Sequence, residues 1–237
     1  MSFAIIVGIC FTVFIILLLL YVLPMFFMHP LDSGKIDSTD IIAIKNRSNN
    51  LFFIPLDEDW IVIDAGSDVK SVKQEMEKMG IDGNRVKRVF LTHTDYDHVA
   101  SITLFPNAVI YMSKQEEQMI DGSTNRQFVK KNRLPELKNS NKVTYLSDNE
   151  VVDLYKHKIR IIWASGHTKG SAVYALDEKY LFTGDAFKIA DRSIAVHPYT
   201  MDRKAAQETI RRIKDELKNY EIVFTAHYGL IKTTQAS

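Results

Sequence analysis

The sequence predicts a mixed α/β (α+β) domain, two sheets of strands covered by helices, carried behind one membrane-spanning helix. Three observations predict it. Strand-like and helix-like segments alternate without a regular βαβ period, the pattern of two mixed sheets with helical covers. From Phe3 to Met28 no residue carries a formal charge. Clusters of His and Asp repeatedly follow short apolar runs, as in sites built on loops at strand ends.

The N-terminal stretch has the length of a membrane span. Its 26 residues, if helical, span about 39 Å at about 1.5 Å each, enough to cross a hydrocarbon core of about 30 Å with some tilt. Pro24 lies near the far end, where a bend is tolerated. A cleaved signal peptide fits less well: there is no basic n-region, no small-x-small site, and the apolar run exceeds the usual length of about 7–15 residues. Residues 1–30 are therefore expected to be a single-pass anchor in the cell membrane, 31–39 a linker, and 40–237 one domain. Lys35, Lys45 and Arg47 come after the helix and weakly favour a cytosolic domain, but uncleaved anchors often translocate the domain behind them, so the side stays open. The single cysteine, Cys10, lies in the apolar helix, leaving the domain neither a disulfide framework nor a thiolate ligand. A net charge of +1 offers no electrostatic case for nucleic acid.

Within the domain, Ile41–Ile44, Leu51–Ile54 and Trp60–Ile63 are β-rich runs separated by polar turns, a meander. Val69–Met79 carries Val72, Met76 and Met79 at helical spacing and stops at Gly80. Val86–Leu91 and Ala108–Met112 are further strands. Ser113-Lys114-Gln115-Glu116 has the form of a capping box opening a short helix. Val143–Leu146, Glu150–Leu154, Lys158–Trp163, Ala172–Leu176 and Tyr180–Phe182 form a second strand-rich set. Asp202–Lys218 is an amphipathic helix with Ala206, Ile210, Ile213 and Leu217 as its stripe, and the last strand runs toward His227.

The chemistry concentrates in His93-Thr94-Asp95-Tyr96-Asp97-His98, directly after Val89-Phe90-Leu91. Two imidazoles and two carboxylates in six residues offer several ligands for zinc, iron or manganese from one tight loop. The same strand-then-ligand pattern returns at His167 after Arg160–Trp163, at Asp185 after Tyr180–Phe182, and at His227 after Glu221–Val223.

These motifs, in order with Asp64-Ala65-Gly66 before them, resemble the metallo-β-lactamase-fold superfamily from about Asp40 to His227. The resemblance implies a four-layer αβ/βα sandwich with a dinuclear metal site at the edge between the sheets. One metal would take His93, Asp95 and His167; the other would take Asp97, His98 and His227; Asp185 would bridge them. Asp64 matches an early acidic residue that supports ligands from behind. Two departures matter. Asp95 stands where the family usually has histidine, and Lys169 where it usually has proline. A third carboxylate brings the formal charge of metals, ligands and hydroxide to about zero and acidifies bound water less. It also tilts selection toward harder metals. Flavodiiron proteins of the same superfamily carry glutamate there and bind iron. Two divalent ions are expected, zinc by default, iron or manganese as the alternative.

The resemblance implies a membrane-anchored hydrolase acting through metal-activated water on a small-molecule ester, thioester, lactone or amide, with Asp97 also serving catalysis. Alternatives are phosphodiester or head-group hydrolysis, supported by the basic 125–142 segment, a di-iron redox protein, or a non-catalytic metal-binding domain. That basic segment also reads as a solvated face, His197 as a structural turn residue with the site as its alternative, and Tyr96 as a shield over the site. A glyoxalase II-like enzyme is expected to add a helical glutathione domain, and an RNA-processing relative a histidine-rich motif.

Overall fold

The computed structural model describes residues 3–121, 123–124, 143–190 and 193–233. The basic segment 125–142 lies outside them. Helix α1 (Phe3–Val22) contains no charged residue and continues into a 3₁₀ turn at Leu23–Phe27. Its apolar side chains point outward from the chain, and Ile5–Phe27 is long and apolar enough to cross a membrane.

The first sheet is built from β1 (Gly34–Lys35), β2 (Ile42–Asn46), β3 (Asn49–Leu56), β4 (Asp59–Ile63), β5 (Val86–Phe90), β6 (Val109–Ser113) and β7 (Val143–Leu146) in that order. β1 to β4 are antiparallel, β4 to β7 parallel. The second sheet takes β8 (Val151–Asp153), β9 (Lys158–Trp163), β10 (Ala172–Leu176), β11 (Tyr180–Phe182), β14 (Ile222–Phe224) and β15 (Leu230–Lys232). β12 (Lys188–Ala190) and β13 (Ser193–Ala195) form a separate hairpin. Val143–Leu146, expected in the second set, pairs instead with β6 at the edge of the first sheet.

Alternation along the strands explains the layering. Phe52, Ile54, Ile61 and Ile63 turn inward to meet Ile159, Ile161, Tyr174, Phe182 and Phe224 of the other sheet. Leu51, Phe53 and Val62 face the opposite way, onto Val72 and Met76 of α2 (Val69–Lys78). Ile162, Val173, Leu181 and Val223 meet Ile213 of α5 (Arg203–Ile213). Helix, sheet, sheet, helix is the four-layer order. Two short helices, α3 (Tyr96–Val99) and α4 (Glu117–Asp121), complete the set. α2 and α5 each begin on an Asp whose side chain accepts from the third residue on, Asp68 from Ser71 and Asp202 from Ala205. α5 is shorter than its apolar stripe, which continues through a 3₁₀ turn at Leu217–Asn219.

Phe224 stacks on Phe182 at 4.9 Å and packs on Phe52 at 5.1 Å. Phe224→Ala is expected to cost about 3–5 kcal/mol and Asp202→Ala about 1 kcal/mol. Urea midpoints of the detergent-solubilised chain check that order, and an equal or reversed effect contradicts this packing.

Candidate metal centre

Strand direction brings the site together. β4 and β5 are parallel neighbours, so Asp64 and the Thr92–His98 loop leave the sheet side by side. β11 and β14 are also parallel, which sets Asp185 beside His227. β9 runs in the direction of β11, antiparallel to the β10 between them, and delivers His167 to the same edge. Gly184 makes this close approach possible. It adopts φ +51°, and a Cβ there would fall 2.2 Å from the Thr92 hydroxyl.

All seven residues expected as ligands converge. His93 Nε2 lies 3.3 Å from Asp95 Oδ2, and His167 Nε2 lies 3.2 Å from the same oxygen. His98 Nε2 and His227 Nε2 lie 3.7 and 3.4 Å from Asp97 Oδ2. Asp185 divides its oxygens between the two groups: Oδ2 faces His167 at 3.3 Å and His93 at 4.0 Å, whereas Oδ1 faces His227 at 3.2 Å and His98 at 3.5 Å. The Asp97 side chain is 37% exposed and the others are nearly covered, so the centre opens at Asp97. Tyr96, expected to shield the site, is 64% exposed.

Hydrogen bonds fix which ring nitrogen faces inward. Asp64 is buried, with φ +60°. It accepts from the Thr92 N–H at 2.8 Å, from the Thr92 hydroxyl at 2.8 Å, and from His98 Nδ1 at 2.8 Å. With its hydroxyl hydrogen given to Asp64, Thr92 Oγ1 accepts from His93 Nδ1 at 3.1 Å. His227 Nδ1 donates to the Ser48 carbonyl at 2.6 Å. Three imidazoles thereby turn Nε2 toward the centre, the tautomer a metal ligand needs. His93 Nε2, His98 Nε2 and Asp185 Oδ1 are buried without a well-directed hydrogen bond among the described residues. Buried polar atoms of this kind need a partner, and this donor set fits divalent cations.

The charges agree. Burial opposes ionisation of Asp97, but His98 and His227 outweigh it and hold its pKa down at about 2. Burial likewise opposes charge on His227, but Asp185 and Asp97 raise its pKa to about 10. His98 is raised well above the ordinary value against burial, by Asp64, Asp97 and Asp185. Protons therefore sit where cations would.

Two residues take places other than those the sequence reading favours. His197 is buried, its Nε2 3.8 Å from Asp185 Oδ2 and its ring 4.8 Å from that of His167. It joins the centre instead of serving only as a turn. Its pattern, a histidine two residues after β13, is that of the other ligand loops, and Pro198 disguises it. Its Nδ1 accepts from the Tyr199 N–H at 3.4 Å, so its neutral ring presents Nε2–H inward, opposite to the other three. Burial keeps it neutral by lowering its pKa well below the ordinary value. Glu116 is the second. Ser113 does not cap the following turn; its hydroxyl donates to the Gly170 carbonyl at 2.6 Å. Glu116, the other half of the expected capping box, is buried and accepts from Thr94 N–H at 2.8 Å, the Thr94 hydroxyl at 2.9 Å and the Thr168 hydroxyl at 2.7 Å. It ties the His93–Asp95 loop to the His167 loop. Lys169 is exposed, and His157 joins Asp177 to the Pro55 carbonyl far from the centre.

The profile of the Metallo-beta-lactamase superfamily matches residues 45–227. The chain belongs to this superfamily. It is 27% identical over 158 residues, 66% of its length, to a probable metallo-hydrolase of Methanocaldococcus jannaschii. The chain spans 64% of that relative and about half of the other curated relatives it matches. A B3 metallo-β-lactamase with an active-site glutamic acid shares the fold at a TM-score of 0.63 and 17% identity, over 88% of this chain and 85% of that one. A dizinc quorum-quenching lactonase does so at 0.59 and 21%, over 81% and 75%.

Glu116→Ala is expected to weaken metal binding about 10–100-fold, and Glu116→Gln less, because the amide still accepts from Thr94. Chelator competition measures both. Metal loading at pH 7 should release protons from His98 and His227; titration calorimetry in buffers of different ionisation enthalpy reads this directly, and no buffer dependence contradicts it.

Proposed function

We propose that this chain is a membrane-anchored, metal-dependent hydrolase of small ester, thioester, lactone or amide substrates. The observation that carries the reading is Asp185, whose two oxygens face two separate ligand groups. His93, Asp95 and His167 would hold one divalent ion, and Asp97, His98 and His227 the other, with Asp185 shared. Bound there, the two ions would supply Lewis-acid polarisation and lower the pKa of water, though less than with imidazole in place of Asp95. Asp97, ionised and at the open side, orients the attacking water and accepts its hydrogen bond. His197 donates Nε2–H to a substrate oxygen. Leaving oxygens and attacked carbonyls both gain charge in the transition state, so a fixed neutral donor serves either.

Asp95 takes the place of an imidazole in the first group, its carboxylate oxygen lying between His93 and His167 at 3.3 and 3.2 Å. This supports a dinuclear centre over a purely structural metal domain. The relative with an active-site glutamic acid is a metallo-β-lactamase, so an acidic residue in such a site is compatible with hydrolysis. The same carboxylate is the one observation favouring iron and a redox role. Zinc remains the expected metal. Elemental analysis of the purified chain separates the readings: two redox-inert ions support hydrolysis, and two irons support the redox alternative.

Asp185→Ala and His98→Ala are each expected to lower hydrolysis of a chromogenic ester and lactone panel about 100-fold or more. Unchanged turnover in either variant rejects the assignment. His197→Ala should lose about 10²–10³-fold in kcat with metal content intact; loss of one ion instead makes His197 a ligand.

A further inference from the structure

The end of α1 is built into the catalytic edge. Pro24 brings no N–H to the helix end, leaving carbonyls in the preceding turn short of a donor. Tyr199, two residues after His197, donates its hydroxyl to the Tyr21 carbonyl at 2.7 Å, and the two rings pack at 5.3 Å. Beyond the 3₁₀ turn, the His29 N–H donates to the carbonyl of His227 at 2.8 Å. The His29 ring meets Tyr228 edge-on at 5.8 Å, and Tyr228 also packs on His197 at 5.7 Å. Leu31 is held at both its N–H and carbonyl by the Asn50 side chain, and Asn50 N–H donates to Ala226. Asn49 in turn donates to the carbonyl of Asp97, the ligand at the open side.

This arrangement sets the depth of the site. The 20 residues of α1 cover about 30 Å at about 1.5 Å each, the full hydrocarbon thickness. The apolar stretch runs on to Phe27, so a span over it has its far boundary at the 3₁₀ turn, just past the place where Tyr21 and Tyr199 form an aromatic pair of the kind found at membrane interfaces. Phe26 and Phe27 come next and are exposed. An open groove of about 450 Å³ is lined by Phe26, Phe27, Met28, Ile189 and Tyr228 together with His29 and Lys188, and Tyr228 also packs on His197 and His227. A mainly apolar groove next to the span, carrying one cation at Lys188 and sharing Tyr228 with the candidate centre, fits an alkyl chain that bears a polar head.

We propose that the substrate is an amphiphile taken from the bilayer, its acyl chain lying in this groove and its ester or amide head reaching the centre. The proposal rests on the hydrolase reading above and on α1 lying in the membrane. For an ester, the acyl–oxygen bond breaks, the acyl carbon takes the hydroxyl of water, and the remaining hydrogen goes to the leaving oxygen.

The test uses the full, metal-loaded chain in phosphatidylcholine vesicles. Turnover of 4-methylumbelliferyl palmitate is expected to exceed that of the butyrate by at least about tenfold in kcat/KM, and Ile189→Asp to reduce that ratio about tenfold. A ratio at or below one, or a ratio that Ile189→Asp leaves unchanged, overturns the proposal. A non-hydrolysable alkyl ether with a diazirine tail gives an independent readout. Crosslinks at Phe26–Met28 and Ile189 support the groove, and crosslinks confined to Phe3–Val22 overturn it. If both esters are inert while the groove is labelled, the hydrolase reading fails and the amphiphile site stands.

Discussion

The buried carboxylate of Asp64 is the constraint on which the centre depends. It is held where β4 meets β5 by its own N–H on Phe90, and three donors converge on it. One of these, Thr92, passes the orientation on to His93. A single acid thus sets two rings without touching the space between them. Burying such a group is costly unless it is fully hydrogen-bonded, and here its bonds are the ones that aim the ligands. Glu116 repeats the device on the other side, fastening Thr94 to Thr168. Between them the two acids brace both loops of the first ligand group.

Strand direction does the coarser work. Parallel pairs place consecutive strand ends together, which hairpins cannot do. Both sheets contain such pairs where ligands emerge, β4 with β5 and β11 with β14. The other pairings of the second sheet are antiparallel, whereas in the first sheet β1–β4 are antiparallel and the parallel run continues through β6 and β7. The same strands serve centre and core: Ile61, Ile63, Phe90, Phe182 and Phe224 lie between the sheets on the strands whose ends carry the site.

The candidate ligand residues are legible in the sequence because metal donors beside strand ends are chemically conspicuous, and the family resemblance implies how they would pair. The layered fold is legible for a similar reason, since β3 and β4 alternate faces in the sequence itself. Glu116 is hidden because Ser113-x-x-Glu116 is locally a helix start; only distant Thr94, Thr168 and Gly170 reveal where the two side chains are needed. His197 is hidden because a neighbouring proline explains a turn adequately. The sheet that Val143–Leu146 joins is a long-range choice of edge, which a short apolar run does not encode. The β12–β13 hairpin and β15 are too short to rise above their surroundings. Local chemistry can be read, whereas contacts between loops cannot.

The tautomer-setting bonds have a consequence for assembly. Every hydrogen bond that aims His93, His98 and His227 is made to protein atoms. The orientation of these three rings therefore needs no cation as a template. Binding of ions in the proposed centre would then be an exchange against protons on rings that are already aimed. In the proposed centre, the choice of cation would then fall to the donors and to the metals at hand when the domain is already folded.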